Sequence, residues 1–425
     1  MVDNTNPAAK SILSKLNAII PDLEFLYKDI HSHPELSMQE FRTAGLVADI
    51  LKKSDYEVFR GIGKTGVVGI LRNGQGPTVM LRADMDALPV SEKTNLPYAS
   101  KVTTTDSNGI QVSVMHACGH DMHVVWLIGA AQLFSQTKNA WVGTLIILFQ
   151  PSEETGKGAQ AMIDDGLMKR FPKPDIILGQ HVMVGPAGVI GWVSGTVTST
   201  SDSMEIKLFG RGAHGSMPQA SIDPVVMSAS LVLRLQTIVS REVEPSSFAV
   251  LTVGSLQAGT KDNVIPEEAV IKLNVRTRKE EVRSKILSSI SRIADAEASA
   301  SGAQKKPEIQ QFEHYSLVTN DPDATHRVVD SFTTYFPESR VKEVEATSAS
   351  EDFGVFGTAW DSPSVFWFVG STDSDLFAKA KKEGKIDEIP TNHNPGFAPV
   401  IHPTLETGVQ TLILAAGAWV FKKNS

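Results

Sequence analysis

The chain has 425 residues, which is too long for one packed core at roughly 150 residues per domain, so two or three domains are expected. Its composition, with 41% hydrophobic and 21% charged residues, is that of an ordinary globular protein and excludes a mainly disordered chain. With 40 Lys and Arg against 48 Asp and Glu, the net charge of -8 excludes nucleic acid as the main partner.

Export and membrane anchoring find no support in the sequence. No segment approaches the roughly 20 consecutive apolar residues of a membrane-spanning helix, and the start, MVDNTNPAAK, has no basic stretch followed by an apolar one. The single cysteine, Cys118, excludes an intramolecular disulfide and fits a reducing compartment, so we expect a cytoplasmic protein. Cys118 can then ligate a metal, act as a nucleophile or simply be buried.

The first third of the chain alternates helical and strand patterns, as an α/β domain does. Residues 37–53 have apolar positions at helical spacing, and Ser37 and Glu40 stand in the spacing of a capping box. Residues 67–72 and 78–82 are short β-rich runs separated by the turn cluster NGQGP, which predicts two neighbouring strands.

Strongly apolar runs follow. They predict a buried helix over 123–134 and buried strands over 143–150 and 175–181. Polar residues end or follow these strands, and buried sheet strands commonly deliver site residues at their ends. We therefore expect the functional groups near those strand ends.

A second domain is predicted as an insertion. The small-residue stretches 194–201 and 298–306 have the composition of hinges, and between them the order is strand, helix, strand, strand, helix. Two helices on a small, largely antiparallel sheet is the simplest arrangement for that order. The rest, with a strand at 365–370 and a helix at 404–421, is expected to return to the first domain. The predicted division is 1–194 and 311–425 for an α/β domain, and 195–310 for an inserted α+β domain.

Four polar segments, ADMDALP, HACGHDMH, FQPSEETGKG and GQHV, concentrate the candidate chemistry. Cys118 and His120 are two residues apart, so one loop can offer a thiolate and an imidazole to the same metal ion. Glu153 and Glu154 are adjacent carboxylates that would repel each other unless a cation or a proton neutralises one. A metal resolves that conflict, because one carboxylate can ligate while the other accepts a proton from water whose pKa the metal lowers to about 7.

Other interpretations compete with the metal site. His181 and His393 would complete a set of nitrogen, oxygen and sulfur ligands, but each could also be a structural or loop histidine. Cys118 with His120 or His123 could form a nucleophilic pair, although that gives the two glutamates no role. No Gly-x-Ser-x-Gly motif supports a serine hydrolase, and a non-catalytic binding protein would leave all four segments unexplained.

Taken together, ADMDALPV, HACGHDMH, QPSEETGKGA, GRGAHGSMP, NVIPEEA and HNPGF resemble, in order and over nearly the whole chain, the amidohydrolase branch of the aminoacylase and carboxypeptidase metallopeptidases. That branch includes hippurate hydrolases, indole-acetyl-amino-acid hydrolases and bacterial N-acyl-amino-acid aminoacylases. The resemblance implies a two-domain subunit, in which an α/β catalytic domain holds two divalent metal ions and an inserted α+β lid pairs two subunits into a homodimer. It implies hydrolysis of a small-molecule N-acyl amino acid, with dipeptidase or carboxypeptidase activity as the close alternative.

The resemblance also implies roles for particular residues. The implied metal ligands are Cys118, His120, Glu154, His181 and His393. Glu153 is the implied general base. Asp86 is implied to support the metal ligands without binding the metal itself. His214 matches a lid histidine that stabilises the oxyanion in the partner subunit's site, while Asn263 and Arg276 match groups that bind the substrate carboxylate. The thiolate suits zinc, cobalt or nickel and relatives also work with manganese, so zinc or manganese is expected, with cobalt and nickel as further candidates.

Two departures from the family pattern bear on substrate preference. Gln219 stands where many relatives have a histidine, and residues 378–392 insert a charged loop before His393. His402 competes with His393 as a ligand, but the HNPGF context favours His393, whereas His402 precedes a proline at a predicted helix start. We expect four further histidines to be structural or to support the ligands: His31, His33, His116 and His123.

Overall fold

The computed structural model describes residues 6–422, which form two compact units. The first unit comprises the chain up to Val197, Val318–Glu345 and the chain from Asp352 onward; the second comprises Thr198–Leu317 and Ala346–Glu351. The expected first hinge, 194–201, contains the boundary at Val197. Among the described residues, no helix is both long and apolar enough to cross a membrane.

Within residues 6–422, the first unit is built on an eight-stranded mixed sheet. In spatial order its strands are Glu57–Ile62, Gly66–Asn73, Gly143–Gln150, Thr78–Asp84, Ile176–Pro186, Ser364–Thr372, Ile190–Trp192 and Val341–Glu343. The third to sixth strands of this order run parallel and are mostly buried, as strands covered on both faces are.

Helices cover both faces of this sheet. Their bounds are Pro7–Leu13, Leu16–Ser32, Phe41–Lys53, His120–Gln136, Gly158–Asp164, Leu167–Arg170, Pro322–Tyr335, Gly354–Trp360, Ser374–Glu383 and Ile401–Val420. Alternate residues of one central strand belong to different cores: Leu145 lies in one apolar cluster and Ile146 in the other. The predicted α/β class of this unit is confirmed.

The strands Gly66–Asn73 and Thr78–Asp84 are not neighbours, contrary to prediction. Gly143–Gln150 lies between them, antiparallel to the first and parallel to the second. Its buried aliphatic run favours an interior position, and the helix His120–Gln136 provides the long connection that a parallel pair requires.

The predicted capping box of Ser37 and Glu40 is also wrong. The helix begins at Phe41, and Glu40 precedes it without a side-chain hydrogen bond to the helix terminus. Glu35 instead accepts two backbone N–H groups of the first turn, both at 2.8 Å. Ser37 and Glu40 make tertiary hydrogen bonds near the candidate site.

The second unit has the predicted arrangement of two long helices on a small antiparallel sheet, but the sheet has four strands where the sequence predicted three. Its strands, in spatial order, are Ala249–Ala258, Glu268–Thr277, Thr200–Phe209 and Glu308–Tyr315, and its helices are Pro224–Thr237 and Glu280–Ala300. The helices pack around Ile206, Leu231 and Ile290. A short ribbon pairs Ala213–His214 with Val264–Ile265.

Two segments expected to be irregular are partly helical. Residues 298–306 lie inside the second unit, where they end the long helix and lead into the edge strand Glu308–Tyr315. The charged insertion before His393 forms part of the helix Ser374–Glu383, which Asp373 caps by accepting two backbone N–H groups.

Candidate metal centre

Three parallel strands bring acidic and imidazole side chains to one edge of the first sheet. Asp84 ends one strand, Glu153 and Glu154 follow the strand on one side, and His181 lies in the strand on the other side. His181 is two residues beyond the position paired with Arg82, which places it level with Asp84. Parallel strands end at the same edge of a sheet, so these groups meet there.

The helix His120–Gln136 adds the cysteine and a second histidine from its N-terminus. Gly119 precedes this helix with φ 84°, in the left-handed region. A Cβ atom on Gly119 would lie 2.4 Å from Cγ1 of Val182, closer than carbon atoms approach. Glycine therefore allows the loop carrying Cys118 to lie directly against the neighbouring strand.

The five implied ligands lie together in overlapping groups. Within each group the candidate ligand atoms are within 4.8 Å of one another: Cys118, His120 and His181; Cys118, Glu154 and His393; His120, Glu153 and Glu154. Cys118 Sγ lies 3.5 Å from His181 Nε2, and Glu154 Oε2 lies 3.3 Å from His393 Nε2. Shared members connect the three groups into one cluster of sulfur, nitrogen and oxygen donors.

Several of these buried atoms form no hydrogen bond with the described part of the protein, although His120 Nδ1 lies 3.3 Å from Asp86 Oδ1 and His120 Nε2 lies 3.8 Å from Glu154 Oε1. Neither ring nitrogen of His120 nor Oε1 of Glu154 forms a hydrogen bond with any group in residues 6–422. A buried polar atom without a partner costs about 1–3 kcal/mol. A divalent cation would satisfy these atoms, and the thiolate, imidazole and carboxylate set is one that such cations bind, so the residues fit a metal centre.

The charges of the cluster also favour the binding of a cation. Burial opposes the charged form of His120, but the carboxylates of Asp84 and Asp86 raise its pKa to about 10. Burial, and then the charge of Glu154, raise the pKa of Cys118 well above its usual value. Without a metal, the carboxylates thus favour a proton on His120, and burial together with Glu154 favours a proton on Cys118; a bound metal would supply positive charge instead.

His181 is neutral and presents one nitrogen to the cluster. Its Nδ1 lies 2.7 Å from the carbonyl oxygen of Val182, so Nδ1 carries the proton and Nε2 carries the lone pair. Burial, with His123 nearby, lowers the pKa of His181 well below its usual value. A neutral imidazole with a fixed tautomer is the form that ligates metals.

Asp86 supports the site through the backbone of the loop. Its Oδ1 accepts the N–H of Glu153 and its Oδ2 accepts the N–H of Glu154, each at 3.0 Å. The hydroxyl of Ser37 donates to Oδ2 at 2.6 Å. Asp86 is fully buried and holds the adjacent glutamates without using their side chains.

Glu40 holds the residue before this pair. Its Oε1 accepts the N–H of Ser152 at 2.8 Å, and its Oε2 accepts the hydroxyl of Thr65 at 2.5 Å. Ser152 has φ 54°, a left-handed conformation that is uncommon for a residue other than glycine. Burial, and then the charge of Asp86, raise the pKa of Glu40 to about 7. Two buried carboxylates thus bind three consecutive N–H groups of the loop, a role that sequence analysis missed.

His123 supports the site but has no free nitrogen for a metal. Its Nε2 accepts the N–H of Val182 at 2.8 Å, so its Nδ1 donates to Asp84 Oδ1 at 2.5 Å. Arg82 donates to Asp84 Oδ2 at 2.6 Å and to Gln150 at 2.8 Å. Sequence analysis gave Asp84 and Arg82 no role, although Asp84 is the first aspartate of the Asp-x-Asp pair.

Two other histidines bind carboxylates outside the cluster. His402 contacts Glu406 at 2.6 Å and Glu24 at 3.2 Å through its two ring nitrogens, and no ligand group includes it. His31 is buried, with Nδ1 2.7 Å from Asp121 Oδ2 and Nε2 3.1 Å from Glu92 Oε1.

The second unit brings His214 and Asn263 together. The N–H of Gly215 donates to the Asn263 carbonyl oxygen at 2.8 Å, and both His214 and Asn263 are exposed. His214 Nδ1 accepts the N–H of Ser216 at 3.1 Å, so Nε2 carries the proton and is the donor nitrogen. Gln219 lies in an exposed turn that follows.

Arg276 lies on the strand Glu268–Thr277, apart from that ribbon. It donates to the Ser348 carbonyl oxygen at 2.8 Å and to Ser350 Oγ at 3.2 Å, and its Nε donates to Asn274 Oδ1 at 3.2 Å. The guanidinium is therefore held at three points and only half-buried.

Several known proteins are similar to this chain in sequence and in fold. A sequence profile described as peptidase family M20/M25/M40 matches residues 80–392. The hippurate hydrolase of Campylobacter jejuni is 40% identical over 339 residues, which cover 79% of this chain and 85% of that protein. Thermostable carboxypeptidase 1 of Saccharolobus solfataricus is 36% identical over 349 residues, which cover 81% and 84%. The YxeP protein of Bacillus subtilis, described as a dinuclear metal binding peptidase from the M20 family, has a similar structure with a TM-score of 0.74 at 28% identity, covering 94% of this chain and 98% of that one.

Proposed function

The chain belongs to peptidase family M20/M25/M40, and from that premise we propose that it is a metal-dependent amidohydrolase that cleaves N-acyl amino acids to a carboxylic acid and a free amino acid. The observation that carries this proposal is the cluster of mostly buried candidate ligands in the first unit. Cys118, His120, Glu154, His181 and His393 form overlapping ligand groups, and some of their buried atoms form no hydrogen bond with the protein over residues 6–422.

These five residues would hold two divalent metal ions, which supply a Lewis acid for the scissile carbonyl and lower the pKa of water. Glu153 then accepts the proton of the attacking water and delivers it to the leaving amine. Its Oε2 lies 3.9 Å from His120 Nε2, and this proximity to a proposed ligand supports Glu153 as the base. Because Asp86 holds both glutamates by their N–H groups, Glu153 and Glu154 can take separate roles.

The donor set supports zinc or manganese, with cobalt and nickel as further candidates. The thiolate of Cys118 favours zinc, cobalt and nickel, whereas the carboxylate of Glu154 also suits manganese. The description of the Bacillus subtilis relative as a dinuclear metal binding peptidase supports a pair of ions.

The second unit would bind the substrate's amino-acid part and stabilise the transition state. Nε2–H of His214 is available to donate to the oxyanion, a type of hydrogen bond that strengthens as charge develops on the oxygen. The planar fork of Arg276, assisted by Asn263, would bind the substrate carboxylate through paired hydrogen bonds.

This unit would also pair two subunits, with His214 serving the active site of the partner subunit. Ala249–Ala258 is an edge strand of its sheet, and edge strands are common sites of pairing. The helix Pro224–Thr237 exposes Val226 and Leu233, at 66% and 74% of their surface. Exposed apolar side chains beside a free strand edge support a homodimer.

Two other functions compete with this proposal: a peptidase with the same metal centre and an amidase with a cysteine nucleophile. A dipeptidase or carboxypeptidase would use the same metal centre, and the similarity to the carboxypeptidase of Saccharolobus solfataricus favours it as the second candidate. A cysteine nucleophile is opposed by the electrostatics, because a nucleophilic cysteine needs a lowered pKa and that of Cys118 is raised.

A hydrolysis panel with the purified protein tests the proposal. N-acetyl and N-benzoyl amino acids should be hydrolysed with a kcat/KM at least about tenfold above that of dipeptides, because only the former have a neutral acyl group. The matched control is each N-acyl amino acid as its carboxamide, which removes the partner of Arg276 and should be a poor substrate. A preference for dipeptides, or for release of a C-terminal residue from longer peptides, would support the alternative.

A further inference from the structure

Asn392 connects two of the segments that carry candidate ligands. Its Nδ2 donates to the carbonyl oxygen of Cys118 at 3.0 Å and to that of Val182 at 3.1 Å. The same nitrogen lies 3.9 Å from Cys118 Sγ, within reach of a weak N–H···S contact. One amide group therefore joins the loop that carries Cys118 and His120 to the strand that carries His181.

Asn392 also directly precedes a third ligand, His393. His393 has φ 70°, a left-handed conformation that is uncommon for a residue other than glycine and that the surrounding contacts must hold. Its side chain is 57% exposed, so burial does little to fix the position of the ring. Its own N–H donates to the Ala117 carbonyl oxygen at 2.8 Å, beside the contacts of Asn392.

We propose that Asn392 is a positioning residue of the metal centre, which sets the spacing of the segments carrying Cys118, His181 and His393. Two carbonyl oxygens need two donors, and the side-chain NH2 group supplies both hydrogens from one atom. Hydrogen bonds from residues that surround the ligands generally orient those ligands. Loss of such a hydrogen bond typically costs about 10–100-fold in metal affinity or activity. The inference rests on the proposed metal centre, to which it adds a residue that is not itself a ligand.

Titration of the metal-free protein with Co²⁺ tests this role. Binding is followed by the thiolate-to-cobalt charge-transfer absorption and by competition with a chelator. Asn392→Ala should raise the Kd for Co²⁺ about 10–100-fold and weaken the charge-transfer band per bound ion. Asn394→Ala is the matched control, because Asn394 flanks His393 on the other side and its Oδ1 accepts the Gly396 N–H at 2.9 Å. Its Kd should stay within about threefold of the wild-type value.

The outcomes separate this inference from the proposed function. If wild-type protein binds Co²⁺ with the charge-transfer band and Asn392→Ala does the same within about threefold, the role of Asn392 is refuted. A lowered melting temperature of metal-free Asn392→Ala with an unchanged Kd and band also refutes it, because that result indicates a structural role alone. If the wild type shows neither binding nor band, the metal centre itself is wrong, and the inference fails with it. Should Asn392→Ala not fold, Asn392→Ser, which keeps one donor, should give an intermediate Kd, and a wild-type Kd for that variant overturns the role.

Discussion

Asp86 binds Glu154 through the backbone rather than through the side chain, with Oδ2 accepting the Glu154 N–H at 3.0 Å. Oδ1 accepts the N–H of Glu153 in the same way. Asp86 therefore engages neither glutamate side chain, and the directions of both side chains are set by the short helical turn that carries them. This relationship explains how two adjacent carboxylates can serve different purposes in one site.

Asp86→Asn should weaken metal binding. An asparagine can accept only one of the two loop N–H groups, since its NH2 group would face the other donor. We expect metal affinity and turnover to fall about 10–100-fold, measured by chelator competition and by initial rates. Ser37→Ala, which removes one donor to Oδ2 and leaves both loop contacts, is the control and should have the smaller effect. Native metal affinity in Asp86→Asn would contradict the anchoring role.

Glu153→Gln should separate proton transfer from metal binding. The amide cannot accept the proton of the attacking water, so turnover should fall at least about 10²-fold while metal content is retained. Glu154→Gln is the matched comparison, because it should lose metal as well as activity. Metal analysis and steady-state rates of both variants check this, and near-normal turnover of Glu153→Gln under saturating metal would exclude it as the base.

His31 should make stability depend on pH. Burial opposes its charge, but hydrogen bonds to Asp121 and Glu92 raise its pKa to about 9 in the folded protein, against about 6.5 in the unfolded chain. The stabilisation is therefore complete below pH 6.5 and is lost as the pH rises through about 9, in total about 3 kcal/mol.

Denaturant unfolding at a series of pH values measures this contribution. The difference in free energy of unfolding between wild type and His31→Gln should shrink as the pH rises from about 6 to about 10. His33→Gln is the control, because His33 is exposed and its variant should differ from wild type by a small, constant amount. A His31→Gln difference that does not vary with pH would show that folding does not raise the pKa of His31.

Mixing two inactive variants tests the proposed role of His214. If His214 serves the partner's site, a heterodimer of His214→Ala and Glu153→Gln subunits has one site with both groups intact, and activity should return on mixing. Each variant alone should stay nearly inactive. A fully active His214→Ala would refute the role, and an inactive one that mixing does not rescue, with subunit exchange verified, would place His214 in the site of its own subunit.

Patterns local in the chain predicted much of the fold. The strand predicted at 143–150 is observed as Gly143–Gln150, and the α/β class and the family are confirmed. The neighbours of that strand could not be predicted, because the order of strands depends on which apolar run is buried in the sheet interior. Sequential proximity suggested that 67–72 and 78–82 pair, whereas burial places Gly143–Gln150 between them.

For the candidate site too, one part could be predicted from the sequence and another part could not. The residue types of the implied ligands, together with a family resemblance, identified side chains that do lie together, and their roles remain predictions. The supporting contacts were missed. Glu40 had a plausible local partner in Ser37, but each binds a group more than 40 positions away, at Ser152 and Asp86. No local spacing reveals such tertiary hydrogen bonds, and Asn392 is hidden for the same reason.

The most direct test of metal-dependent amide hydrolysis is the rate with N-benzoylglycine before chelation, after thorough chelation, and after addition of Zn²⁺ or Mn²⁺. We predict that wild-type activity is lost on chelation and restored by metal, whereas Glu153→Gln is inactive throughout. Activity that survives complete removal of metal, with an acyl group detected on Cys118 by mass spectrometry, would contradict the account and establish a cysteine nucleophile instead.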